Sequence, residues 1–233
     1  MDIIWEGITQ AISLILSGDA ALVEVVLLSL AVSGSATAIS IVIGIPYGTF
    51  LALGRFTGRG LLLGLVNTGM GMPPVVVGLV LTIFLWRSGP LGVLGLLYSP
   101  SAMVIAQVVI ATPIVAGVSM AAIAQLDPRL RLQMLGLGAS RLQLLWILFH
   151  EARLPLLTAV MAGFGGVISE VGSVMMVGGN IKGQTRVLTT AIVTETGRGE
   201  FGLAIALGTI LIILAFGANL VLTYVQQKGR RAA

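Results

Sequence analysis

The chain has 233 residues, of which 57% are hydrophobic and only 9% charged, against about 25% charged in an ordinary soluble domain. With a mean hydropathy of +1.06, this composition argues against a soluble enzyme, a disordered tail or a nucleic-acid binder, and for an all-α integral membrane protein. Cysteine is absent, which removes disulfides and thiolate metal sites, and the net charge of +4 matters less than where the charges fall.

Within residues 1–20, Ile4, Ile8, Ile12 and Ile15 recur at helical spacing, with Glu6, Gln10, Ser13 and Ser17 between them. That pattern predicts an amphipathic helix lying in the outer interface. A signal peptide would carry a basic start and a small-residue cleavage site, and neither is seen. Beyond it, charge-free stretches mark the spans. Those at 25–54, 60–86, 88–126 and 201–227 can each cross a bilayer, and the one at 154–169 can if it continues past Glu170 to Asn180. Residues 88–100 carry Gly89, Pro90, Gly92, Gly95 and Pro100, so they read as a loop with a short turn. About five transmembrane helices follow, over 25–54, 60–86, 101–126, 154–180 and 201–227. A cytoplasmic C-terminus places nine Lys and Arg inside and four (Arg87, Lys182, Arg186, Arg198) outside, as the positive-inside rule prefers. The N-terminus is then outside.

The spans contain features that plain anchors lack. Gly44 and Gly48, Gly60 and Gly64, and Ala204 and Gly208 are small residues four apart, a spacing that lets helix backbones approach closely in lipid. Pro46 and Pro113 each remove a backbone donor. The run at 67–74, with Asn67, Thr68, two glycines, Pro73 and Pro74, predicts a broken or kinked helix beside a polar pathway. Glu170 is the one acid deep inside a span, flanked by Ser169, Gly172 and Ser173. It reads either as a gate or pathway element or as a carboxylate bonded to neighbouring hydroxyls and backbone donors. The single histidine, His150, has no metal partner in sequence, and no zinc-protease, serine-hydrolase or phosphate-cradling motif occurs. Transport against a gradient would therefore draw its energy from another subunit or an ion gradient.

Between the third and fourth spans lies DPRLRLQMLGLGASRLQLLWILFHEARLP, residues 127–155. It predicts a short helix, a glycine turn at Gly138, and a second helix entering the membrane at Leu154 and Pro155. Leu142, Leu145, Trp146 and Phe149 would share one face of that second helix, free to dock in a partner's groove.

This segment resembles the EAA loop of type I ABC importer permeases, through Asp127, Pro128, Leu137, Gly138, Ala139, Ser140, Leu154 and Pro155. Leu132, Gln133 and Met134 stand where Glu-Ala-Ala would. Residues 168–208 (ISEVGSVMMVGGNIKGQTRVLTTAIVTETGRGEFGLAIALG) and 3–19 are similar to tungstate-type permeases of the molybdate and tungstate importer group. The resemblance implies a type I permease fold over 25–227, a basic cytoplasmic tail at 228–233, and a prokaryotic inner-membrane location. It also implies an assembly of a homodimer of this chain, two cytoplasmic ATPases and an extracytoplasmic oxyanion-binding protein. No cofactor would be bound by this chain; ATP and Mg would sit on the ATPase partner.

On that implication, residues 127–153 form the coupling surface, with Asp127, Pro128, Gly138, Ala139, Ser140, Arg141, Leu142, Leu145 and Trp146. Asn67, Thr68, Pro73, Pro74, Ser169, Glu170 and Ser173 line a pathway or gate. Lys182, Arg186 and Arg198 face the binding protein. Tungstate is the first substrate, with molybdate, sulfate or phosphate as alternatives. An ion-coupled carrier would need an internal repeat or several intramembrane ionisable groups, and the chain shows no repeat and one such acid.

Overall fold

The computed structural model describes residues 2–231 and the side chains of residues 4–228. Eleven α-helices and one turn of 3₁₀ helix account for the regular structure among the described residues. In chain order the helices are α1 (Asp2–Ser17), α2 (Ala20–Leu53), α3 (Arg59–Met70), α4 (Pro74–Leu85), α5 (Pro100–Ala124), α6 (Pro128–Gly136), α7 (Arg141–Glu151), α8 (Arg153–Ile168), α9 (Gly172–Gly178), α10 (Leu188–Gly197) and α11 (Phe201–Arg231). Helices α2, α5 and α11 are each long and apolar enough to cross a membrane. The 3₁₀ turn, Gly92–Leu94, falls in the loop expected at 88–100.

Helix α5 stands at the centre, and α2, α3, α8 and α9 pack around it. Glycine makes each of these contacts close. A Cβ on Gly44 of α2 would lie 2.9 Å from Val115 Cβ, and one on Gly48 would strike the Ala116 carbonyl. On α3, a Cβ at Gly69 would come within 2.7 Å of Pro113; on α8, one at Gly163 would come within 2.7 Å of Val115; on α9, one at Gly178 would come within 2.9 Å of Met103. Lipid tails are as apolar as leucine, so helices in a membrane associate through such close backbone packing rather than through hydrophobic burial. The other two small-residue pairs behave differently. A Cβ at Gly60, Gly64 or Gly208 meets nothing within 4 Å.

The segment 60–86 is not one continuous helix, as the run at 67–74 predicts. Helices α3 and α4 meet at 102° across Gly71–Pro73. Pro73 and Pro74 remove two amide donors in succession, and the residue before a proline avoids the α-region. Pro74 then opens α4 at a first-turn position, where a missing N–H does no harm. The segment 154–180 is also interrupted: α8 ends at Ile168, and α9 restarts at Gly172 after a three-residue break. No proline marks this break. Helix α7 stops at Glu151, and the chain bends by 73° into α8, so the second elbow helix does not run straight on into α8.

The first helix has two distinct faces. Helix α1 packs on α11 through Gly7 and Ala11, where a Cβ on Gly7 would come 2.6 Å from Ile205 Cβ. Ile4, Ile12 and Ile15 point outward. The small stripe is the packed face and the isoleucine stripe is the free one, because close approach outweighs apolar burial where the surroundings are apolar. A left-handed Gly18 (φ +61) and the Asp19 cap, which accepts the Leu22 N–H at 2.8 Å, turn the chain into α2.

Candidate functional site

The two helix breaks lie side by side. A Cβ on Gly78 of α4 would approach Ser173 Cα to 2.7 Å, and one on Gly172 would approach Val75 Cγ2 to 2.7 Å. Start of α4 and start of α9 are thus pressed together. Glu170 organises this junction from a site only 6% exposed. Its Oε1 accepts the Ser173 N–H at 2.8 Å, and its Oε2 accepts the Ser173 hydroxyl at 2.7 Å and the Val174 N–H at 3.1 Å. The carboxylate therefore caps α9, satisfying donors that a helix start leaves free. The Thr189 hydroxyl of α10 donates to the Glu170 carbonyl at 2.9 Å and fastens the break to the next helix. Of the two readings of Glu170, this geometry is that of the bonded carboxylate.

The other residues of the expected pathway divide in two. Ser173 is fully buried and bonded to Glu170. Asn67, Thr68, Pro73, Pro74 and Ser169 are exposed at the surface of the chain. The Ser169 hydroxyl donates to the Gly165 carbonyl at 2.8 Å. Gln107, which sequence reasoning passed over, donates from Nε2 to the Val167 carbonyl at 3.0 Å, near the end of α8. A polar side chain in mid-span was the available signal.

The elbow formed by α6 and α7 is built by local rules. Pro128 opens α6, and Asp127 Oδ1 accepts the Arg129 N–H at 2.8 Å. Gly138 turns the chain with φ +79 in open space, so backbone conformation and not crowding calls for glycine. Ser140 and Gln143 then exchange caps: Ser140 Oγ accepts the Gln143 N–H at 3.3 Å, and Gln143 Oε1 accepts the Ser140 N–H at 2.8 Å. Helix α7 is held down by Leu144 and Leu148, packed with Ala122, Ile123, Ala152 and Leu156.

The face predicted for α7 splits in two. Leu142 and Trp146 are 79% and 67% exposed, with Leu137 of the turn at 80%. Together with Gly138, Ala139 and Gln143, Leu137 and Trp146 border a hollow of about 490 Å³. Leu145 and Phe149 turn the other way and line a separate groove against the end of α2. Trp146 stacks on His150, with ring centroids 5.3 Å apart. Arg141 is exposed at the first position of α7.

At the opposite end, the loop after α9 is tied down internally. Thr185 Oγ1 donates to the Gly178 carbonyl at 2.6 Å and accepts the Ile181 N–H at 2.9 Å. Arg186 is only 14% exposed; its Nε donates to Asn180 Oδ1 at 3.2 Å, and it lies 3.8 Å from Glu195. Arg198, 59% exposed, reaches the same Glu195 at 3.1 Å. Arg186 is thus committed to the chain itself, and Glu195 draws on both guanidinium groups. Lys182 is exposed. The three cations expected to face a receptor are not equivalent: one is structural, one shared and one out in solvent.

Comparison with known proteins gives this arrangement a family. Residues 44–231 match the family model for the binding-protein-dependent transport system inner membrane component. The chain belongs to that family. Family members are transport subunits of the inner membrane that work beside ATPase and binding-protein components, so this chain is a multi-pass transport subunit. Over 98% of its length it is 38% identical to the tungstate uptake system permease protein TupB of Peptoclostridium acidaminophilum, all of which is covered. It is 40% identical over 85% of its length to a probable anion ABC transporter permease protein of Haloferax volcanii, with 88% of that protein covered. The fold matches that of a chain of the inward-facing MetNI methionine ABC transporter, with a TM-score of 0.73, 21% identity, and coverage of 89% of this chain and 95% of that one. The architecture is therefore that of a type I ABC importer permease.

Proposed function

We propose that this permease forms, as a homodimer, the membrane pathway of an ABC importer for a tetrahedral oxyanion, with tungstate as the substrate. The observation that carries the substrate is 38% identity with the tungstate uptake permease, over 98% of this chain and all of that one. An extracytoplasmic binding protein delivers the anion to the end that carries Lys182 and Arg198. The N-terminus lies on that side and the C-terminus in the cytoplasm. Two ATPase subunits bind ATP and Mg and close beneath the elbow, and this chain binds neither.

The elbow supports that division of labour. Leu137, Leu142 and Trp146 are apolar and exposed, and Leu137 and Trp146 border a hollow, as a helix seated in a partner's groove requires. Leu144 and Leu148 tie the same helix to α5 and α8, so force on the elbow reaches the bundle. Asn67, Thr68, Pro73, Pro74 and Ser169 line the pathway at the two breaks, offering hydroxyl, amide and freed backbone groups to an oxyanion in transit. Glu170 and Ser173 hold the junction rigid behind them. A pathway that gripped the anion tightly would not release it, so selection belongs to the binding protein.

The test is uptake into proteoliposomes that hold the permease with its ATPase, supplied with the binding protein. ATP-dependent tungstate accumulation, competed by molybdate more than by sulfate or phosphate, is the expected result. Accumulation without the ATPase, or no uptake of any of these anions, would contradict the proposal.

A further inference from the structure

A second hollow lies where α2 ends, on the opposite side of α7 from Leu142 and Trp146. The chain turns back through residues 54–58 to begin α3, which brings Arg55 and Arg59 to a hollow of about 490 Å³ that Arg131 of α6 completes. Arg59 is fixed in place: its Nε donates to the Leu51 carbonyl at 2.9 Å. Phe56 stacks on Phe50 at 5.0 Å. Through Leu53, Gly54 and Arg131, which border both, the hollow continues into a groove of about 670 Å³ whose apolar walls include Pro46, Phe50, Leu145 and Phe149. Arg141 stands at this groove as well.

The charge is uncompensated. No Asp or Glu borders either space, and neither ion pair among the described residues involves these arginines. Asp127, the nearest acid in sequence to Arg131, is engaged with the Arg129 N–H. The placement is equally informative. Pro46 to Leu53 is about 10 Å of helix, all of it inside the apolar helix α2. The groove therefore runs along the last turns of that apolar helix, with the arginines just past its end. A free oxyanion leaves the apolar groove empty. An anionic phospholipid fills both parts, because its headgroup phosphate suits clustered guanidinium groups and its chain suits the aromatic groove.

We propose that this composite pocket binds one anionic phospholipid, with its phosphate on Arg55, Arg59 and Arg131 and an acyl chain along Phe50 and Phe149. The lipid joins the end of α2 to α6, so it braces the elbow against the membrane surface. The proposal goes beyond the transport function and does not depend on which anion is carried.

Native mass spectrometry of the purified full chain tests it, with phosphatidylglycerol, phosphatidylcholine of the same acyl chains, and inorganic phosphate as probes. Phosphatidylglycerol should be retained about tenfold more strongly than phosphatidylcholine, and excess inorganic phosphate should not displace it. The Arg55→Gln, Arg131→Gln double variant should lose that preference, while Arg87→Gln, which removes a charge elsewhere, should keep it. Equal retention of the two lipids, displacement by inorganic phosphate, or an undiminished preference in the double variant would overturn the proposal. So would a wild-type homodimer carrying no phosphatidylglycerol, since a second copy would then occupy the groove. The wild-type comparison needs no variant to fold.

Discussion

The helix-break junction and the cytoplasmic elbow use similar local chemistry to opposite ends. At the junction the buried carboxylate is met from within: Glu170 receives three hydrogen bonds, Thr189 secures its carbonyl, and glycines bring α4 and α9 into contact. At the elbow the caps are equally complete, yet Leu137, Leu142 and Trp146 are left in the open. A region that is satisfied internally is built to keep its shape. A region that is capped but leaves apolar side chains exposed is built to be covered by something else. Substitutions should therefore separate stability from coupling according to where they fall.

The largest loss of stability is expected from Glu170→Leu. It leaves two backbone donors and a hydroxyl without an acceptor in a buried place, each worth about 1–3 kcal/mol, and the thermal unfolding temperature of the purified chain should fall sharply. Glu170→Gln keeps the shape and one acceptor oxygen but turns an amide toward donors, so its loss should be smaller. Unchanged unfolding in both variants would break the comparison. Gly48→Val should come next, at about 1–3 kcal/mol, because its side chain would strike the Ala116 carbonyl of α5. The same change at Gly64, which faces open space within the chain, should leave the isolated permease unaffected. Glu195→Gln should follow at about 1 kcal/mol, mostly through the half-buried Arg186, since the pair with the more exposed Arg198 is screened by solvent. Raising the salt concentration should shrink that last difference only slightly.

The smallest effect on the isolated chain is expected at the elbow. Leu142→Asp with Trp146→Asp changes exposed positions and should shift stability by no more than about 0.5 kcal/mol, while abolishing ATP-driven transport.

The elbow was the most legible part of the sequence because its signals are local. Pro128, Gly138 and Ser140 with Gln143 each impose a helix start or a turn whatever surrounds them. The break at Pro73 and Pro74 was legible for the same reason. The break after Ile168 was not, because a glutamate caps it and no proline announces it; Glu170 looked like one charge in a span, and only tertiary placement reveals the helix start it serves. Spacing put Leu142, Leu145, Trp146 and Phe149 on one face; where Leu144 and Leu148 seat the helix on α5 and α8 decides that only Leu142 and Trp146 of these stand in the open. Arg186 looked like a free cation until the fold brought Asn180 and Glu195 to it across the loop. For α1, periodicity marked the isoleucine stripe, but only the fold shows that Gly7 and Ala11 pack on α11.

The central claim is that Leu142 and Trp146 are the grip of a separate ATPase on an otherwise self-sufficient fold. Co-purification of the ATPase with wild-type permease and with the Leu142→Asp, Trp146→Asp variant, alongside thermal unfolding of both, tests it most directly. The account predicts that the variant unfolds at the wild-type temperature yet retains little or no ATPase. A variant that folds normally and still holds the ATPase and couples its hydrolysis to transport would contradict it.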